Sequence, residues 1–321
     1  MKKIALLLLA CLLTSAVGCS NKQADASSSA VSAASFSSDG ASSSFAAESS
    51  EPPASSAQES QAVSSSASGS GPAKPRAASS APTASSSPAS SESDIVSVTV
   101  PEGYTLAKIA SKLEANGICG ASEFIKAAQT KDFSSHALVK AIPASGKRAY
   151  KLEGYLYPDT YEFYKKSAPE DVLGKFLSNA DQRIGSRYRY SGMTTDQIVT
   201  LASIIEKEAD NATDMGLISA VFHNRLKSGM KLQSDPTITY CTYVLLSPNG
   251  PFADSYKYYY NTYRCAALPA GPICNPGAAA LNAAANPAKS DCLYFIASGG
   301  KYYYQKTLDE HNAKMKELGM T

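Results

Sequence analysis

The stretch Thr194-Thr195-Asp196-Gln197-Ile198-Val199-Thr200-Leu201-Ala202-Ser203-Ile204-Ile205-Glu206-Lys207-Glu208-Ala209 decides how the chain is read. Thr194 followed three residues later by Gln197 is a capping-box pattern, and Asp196 puts a negative charge near the positive end of the helix dipole. The pattern predicts a helix that begins there. At roughly 100° per residue, Ile198, Leu201, Ala202, Ile205 and Ala209 gather into one apolar stripe, and Lys207 falls on the opposite face. Glu206 and Glu208 flank the stripe. A carboxyl at such an edge can be partly desolvated, which raises its pKa and lets it hold a proton near neutral pH as a general acid. Periodicity does not choose between the two glutamates, and acidic residues beside a helix stripe are also ordinary surface features.

Around this stretch the composition is uneven. The chain has 321 residues, 44% of them hydrophobic, enough for one medium domain or two small ones. A net charge of +2 gives no basis for a nucleic-acid surface, so no nucleic-acid partner is expected. His136, His223 and His311 lie far apart and show no ligand spacing with one another or with the cysteines, so no metal site is predicted. Residues 1–19 have the charged, apolar and small-residue regions of an export signal, and the apolar run is about half the roughly 20 residues a spanning helix needs. Ala16-Val17-Gly18-Cys19 resembles a bacterial lipobox, with Ala16 where leucine is usual, and makes Cys19 the expected lipidation site. Ordinary secretion and an uncleaved anchor are the alternatives. Residues 20–93 are mostly Ser and Ala with scattered Pro and Gly, and they cannot bury enough surface to offset ordering. They read as a disordered tether spanning roughly 50 Å on average as a flexible coil.

Order is expected from Asp94. Val96, Val98 and Val100 alternate as a strand, Pro101-Glu102-Gly103 is a turn, and Leu106, Ile109, Ala110 and Leu113 recur at helical spacing until Asn116-Gly117. Ser122 reads as the cap of a second helix. This arrangement over 94–145, with Val100-Pro101-Glu102-Gly103-Tyr104-Thr105-Leu106 at its head, resembles a LysM-type glycan-binding module. Over 146–321, helices are predicted at 171–180 and 213–228, the latter closed by Gly229, followed by a strand near 238–244. Two late strands, 292–297 and 301–305, meet at Gly299-Gly300 as a hairpin, and a helix closes the chain. The fold class is α+β: a small module followed by a mixed catalytic domain.

Several polar motifs then stand in order: Glu153-Gly154-Tyr155-Leu156-Tyr157-Pro158-Asp159, Ser203-Ile204-Ile205-Glu206-Lys207-Glu208, Phe222-His223-Asn224-Arg225-Leu226, Leu232-Gln233-Ser234-Asp235-Pro236-Thr237, Tyr260-Asn261-Thr262-Tyr263, Leu268-Pro269-Ala270-Gly271-Pro272, and Asn275-Pro276-Gly277. Together they resemble the endolytic murein transglycosylases of the MltG (YceG-like) family from about Asp94 onward. The resemblance implies that Glu206 is the acid/base of a peptidoglycan lytic transglycosylase. Such an enzyme cleaves the bond between N-acetylmuramic acid and N-acetylglucosamine and leaves 1,6-anhydro ends. An ordinary glycosidase needs a second carboxylate; here the nucleophile would be the substrate's own C6 hydroxyl.

The matching motifs offer Glu153, Gln233, Asp235 and Asn261 as hydrogen-bonding contacts to the sugars or to Glu206, although Asp235-Pro236 and Asn261-Thr262 would equally serve as turn caps. With 19 Tyr and no Trp, stacking on sugar faces falls to tyrosines such as Tyr155, Tyr240, Tyr260 and Tyr263. His223 reads as a packed or surface residue. Five cysteines beyond the signal leave at least one outside any intrachain pair, and none is tied to a histidine as a nucleophilic dyad would require. No cofactor is implied. The expected partners are peptidoglycan strands and, through the lipid anchor, the outer face of the cytoplasmic membrane, with peptidoglycan-synthesis enzymes as candidates. The competing reading is a catalytically inactive, tethered peptidoglycan-binding lipoprotein; an intact Glu206 and Gln-Ser-Asp-Pro segment favour the enzyme.

Overall fold

The computed structural model describes residues 94–246, 252 and 254–320. The export signal with Cys19 and the tether over 20–93 lie outside them. Ile95–Thr99 (β1) pairs antiparallel with Thr160–Tyr164 (β2), matching Val98 to Tyr161 and Val96 to Phe163. Alternation sends Val98, Tyr161 and Phe163 to one buried face. There Tyr161 and Phe163 pack on Phe176, with ring centroids 4.3 and 5.7 Å away. The strand that completes this sheet therefore comes from beyond residue 145. Between the strands lie Leu106–Ala115 (α1), Ala121–Thr130 (α2) and the short Ala137–Lys140 (α3). Thr105 caps α1 by accepting from Lys108 N. Ser122 does not cap α2: the helix starts one residue earlier, and Glu114 Oε1 accepts from Ala121 N.

Pro169–Arg183 (α4) leads to Thr195–Glu208 (α5), the central helix. Its capping box forms as read, with Thr194 Oγ1 accepting from Gln197 N and Gln197 Oε1 accepting from Thr194 N. The single apolar stripe does not describe its surroundings. Ile198 through Ile205 are buried on every side, Val199, Ser203 and Ile204 included, because Ala278–Ala285 (α9) and Ala212–Lys227 (α6) pack against it as well. Its first turn reaches solvent at Gln197, and its last turn reaches solvent again, carrying Glu206 and Glu208.

The strand expected near 238–244 is a helix, Asp235–Tyr240 (α7), running into a π-helical turn, Cys241–Leu245. Pro236 suits a first helical turn, and Thr237, Tyr240, Cys241 and Leu245 form the buried side at helical spacing. The β-branched residues that suggested a strand fall mostly on the open side, as Ile238 does. After Tyr256–Tyr260 (α8) and α9, Tyr294–Ser298 (β3) and Lys301–Gln305 (β4) form the predicted hairpin, with both Gly299 and Gly300 at positive φ. Leu308–Glu317 (α10) closes the described chain. The class is mixed α+β, with two separate two-stranded sheets among the described residues.

Candidate active site

Three loops converge on the exposed end of α5, and Asn275, itself fully buried, holds two of them together. Its Oδ1 accepts from Leu156 N, and its Nδ2 donates to Tyr104 O and Glu153 Oε1. Its backbone bridges the same turn: Asn275 N donates to Tyr104 O, and Gly103 N donates to Asn275 O. The turn carrying Glu102 and the loop carrying Gly277 are thereby fixed against each other. Gly277 N donates to Glu206 Oε2 at 3.1 Å. A β-carbon on Gly277 would stand 1.8 Å from Glu102 Oε1, so the Glu102 carboxyl lies directly over this glycine. Burial pushes the Glu206 carboxyl up to about 7; the negative charge of Glu102 adds to the rise, while the Gly277 hydrogen bond and Lys207 oppose it.

Glu208 lies about 200° further round the helix. Ser234 Oγ donates to its Oε1 at 2.5 Å, and Tyr302 Oη donates to its backbone carbonyl. Burial pushes this carboxyl up to about 7 too, with Asp235 assisting. Electrostatics alone does not separate the two. Their attachments differ: Glu208 is tied into the Ser234 loop, and Glu206 touches the protein through one backbone N–H.

The remaining motif residues divide by burial. Glu153 is fully buried; Oε1 accepts from Leu106 N and Asn275 Nδ2, Oε2 accepts from Tyr240 Oη, and desolvation pushes it up to about 7. Tyr260 is fully buried and its hydroxyl accepts from Ala149 N. Tyr155 is buried with its hydroxyl donating to Asp196 Oδ1. Their polar atoms are engaged inside the chain, as expected of core residues and not of sugar contacts. Tyr240 is almost as buried but borders a groove between α1 and α7.

Gln233, Asp235 and Tyr263 are exposed, Asn261 partly so, and they gather near Glu208. Tyr263 Oη donates to Asp235 Oδ1, Asn261 Oδ1 accepts from Tyr263 N, and Gln233 Oε1 accepts from Arg225 Nη1. Gln233, Asp235 and Tyr263 line a second cavity of about 550 Å³ with Glu208, Arg225 and His311. Beneath them the buried Thr262 accepts from Ser234 N, which stitches the two motifs together. Gln233 takes φ +53, a left-handed conformation uncommon outside glycine.

His223 is packed, its Nε2 donating to Ala284 O, and desolvation lowers its pKa. Cys119, Cys241, Cys265, Cys274 and Cys292 are all free thiols.

Sequence reasoning passed over Glu102, which looked like a turn residue, and the buried Arg148–Asp196 ion pair at 2.7 Å at the opposite end of α5. Arg148 stands outside every periodic segment. Only the helix-start position of Asp196 was legible.

A model of the YceG-like family matches residues 77–317. The endolytic murein transglycosylase of Streptococcus pneumoniae serotype 2 (strain D39 / NCTC 7466) is 32% identical over 246 residues, covering 70% of this chain and 44% of that protein. Its namesake from Bacillus subtilis (strain 168) is 33% identical over 239 residues, covering 68% and 64%. The chain thus spans less than two thirds of the length of either relative. The crystal structure of the yceG-like protein lmo1499 from Listeria monocytogenes matches with a TM-score of 0.56 at 34% identity, covering 68% of this chain and 74% of that one.

Proposed function

The chain belongs to the YceG-like family, and from that premise we propose that it is an endolytic transglycosylase cutting peptidoglycan strands between N-acetylmuramic acid and N-acetylglucosamine. Glu206 is the acid and then the base. Its protonated carboxyl donates to the leaving glycosidic oxygen; the resulting carboxylate takes the proton from the muramic acid C6 hydroxyl as that oxygen bonds to C1. One proton leaves and one returns, so the group ends as it began. The observation that carries this reading is a half-buried carboxyl pushed up to about 7, held by a single backbone N–H beside a second acidic side chain. Such a group is protonated in useful amount near neutral pH and is a competent base once ionised.

Gln233, Asp235, Asn261 and Tyr263 supply exposed polar edges for sugar hydroxyls and acetamides. The segment from β1 to β2 acts as a LysM-like glycan-holding module, closed by β2. Residues 1–19 export the chain, Cys19 anchors it at the outer face of the membrane, and residues 20–93 leash it there. Mass spectrometry of peptidoglycan digested by the protein tests the activity. Anhydro-muramic ends are expected; reducing ends would indicate water as the nucleophile, and intact strands would favour a binding protein.

A further inference from the structure

A groove of about 990 Å³ runs between α1 and α7. Its lining carries three ammonium groups, Lys108, Lys112 and Lys207, and one carboxylate, Asp235, whose Oδ1 already accepts from Tyr263 Oη. Lys108 and Lys112 are one helical turn apart, so their charges repel. Both nevertheless lean over the same ring, with Nζ 5.9 and 5.8 Å from the Tyr104 centroid. Among the described residues, none of the three lysines has a carboxylate within ion-pair distance. Lys207 marks the end of the groove nearest the reaction. A β-carbon on Gly103 would stand 3.0 Å from Lys207 Nζ and 3.6 Å from Glu206 Cγ. The rest of the lining is aromatic and aliphatic: Tyr150, Tyr240, Tyr243, Ile125, Val244 and Ile273.

We propose that this groove is an anion subsite that receives a carboxylate of the peptide borne by N-acetylmuramic acid, gripped by Lys108 and Lys112 while the attached sugar lies toward Glu206. The inference rests on the glycan-strand reading and adds a preference for peptide-bearing over bare strands. Ammonium groups without a carboxylate partner, facing a shared cavity, gain charge-assisted hydrogen bonds when an anion arrives. Phosphates of wall polymers offer the same charge, but the apolar lining suits methyl-bearing amino acids better than a polyol phosphate.

Glu206→Gln protein, which should bind without cutting, separates this inference from the catalytic one. Calorimetric affinities would be compared for a disaccharide-pentapeptide, the same disaccharide stripped of its peptide, and a glycerol phosphate oligomer. The peptide-bearing ligand should bind about tenfold or more tightly than the stripped one, and Lys108→Gln/Lys112→Gln should bring that ratio to within about twofold of unity. Equal affinities in the Glu206→Gln parent, a ratio untouched by the double replacement, or binding of glycerol phosphate alone would each overturn the subsite. Cleavage of bare strands by the wild-type protein is measured in parallel, so loss of the peptide preference and loss of the proposed activity are seen apart.

Discussion

Gly277 donates its backbone N–H to Glu206 Oε2 at 3.1 Å, and only because position 277 lacks a side chain can the Glu102 carboxyl lie over the same residue. Gly277 is also the N-cap of α9, the positive end of that helix. Two acidic groups therefore share one short stretch of backbone at the open end of α5. Their mutual repulsion favours the protonated form of Glu206, while the N–H keeps its ionised form accessible.

Glu102 should accordingly set the pH range of the reaction. If Glu206 must begin protonated, activity should fall as pH rises above about 7, the value to which its carboxyl is pushed. Glu102→Gln removes a like charge and lowers the Glu206 pKa, so the falling limb should move to lower pH. Rate profiles of the two proteins from pH 5 to about pH 9 would show it. A limb that stays in place, or moves upward, would mean that Glu102 does not act on the acid.

At the N-terminal end of α5, away from Glu206, Arg148 and Asp196 form an ion pair whose side chains are 5% and 10% exposed. Removing one partner leaves a buried charge uncompensated, so Asp196→Asn or Arg148→Met should each destabilise the fold by about 3–5 kcal/mol. Replacing both together should cost distinctly less than the sum of the two. Denaturant unfolding of the single and double variants checks this, and strict additivity would contradict a direct coupling.

What was legible in the sequence was local. The capping box of α5 and the Gly299-Gly300 hairpin both formed as read because each depends on residues within a few positions. The α7 segment failed because β-branched composition spoke for a strand while the burial spacing of Thr237, Tyr240 and Cys241 was helical. Asn275 could not have been picked out by periodicity: its partner Tyr104 is 171 positions away, and the Asn-Pro-Gly sequence around it looks like any turn. Glu206 and Glu208 stood out as candidate acids, but Glu153 in the matching motif turned out to be a buried strut at the start of α1.

Glu153, Glu206 and Glu208 are each pushed up from 4.5 to about 7 in the folded chain, mainly by burial. Between those values the native state holds protons that the unfolded chain releases, so stability should decline as pH rises through that window. The contribution is complete below pH 4.5 and gone above about 7. Urea midpoints measured across this range should fall more steeply for the wild type than for Glu153→Gln. Parallel curves would show that Glu153 titrates normally in the fold.

The assignment of the acid is tested most directly by measuring anhydro-muramic ends released from peptidoglycan by Glu206→Gln and Glu208→Gln, with folding of both confirmed by thermal melts. Glutamine at 206 keeps the shape and the Gly277 contact but has no proton to give, so product should fall by about 10²- to 10⁴-fold or more, since one group serves both transfers. Glu208→Gln keeps an acceptor for Ser234 and should retain most of the wild-type yield. Near-normal release by Glu206→Gln together with its loss in Glu208→Gln would contradict the account and move the chemistry to the other side of α5.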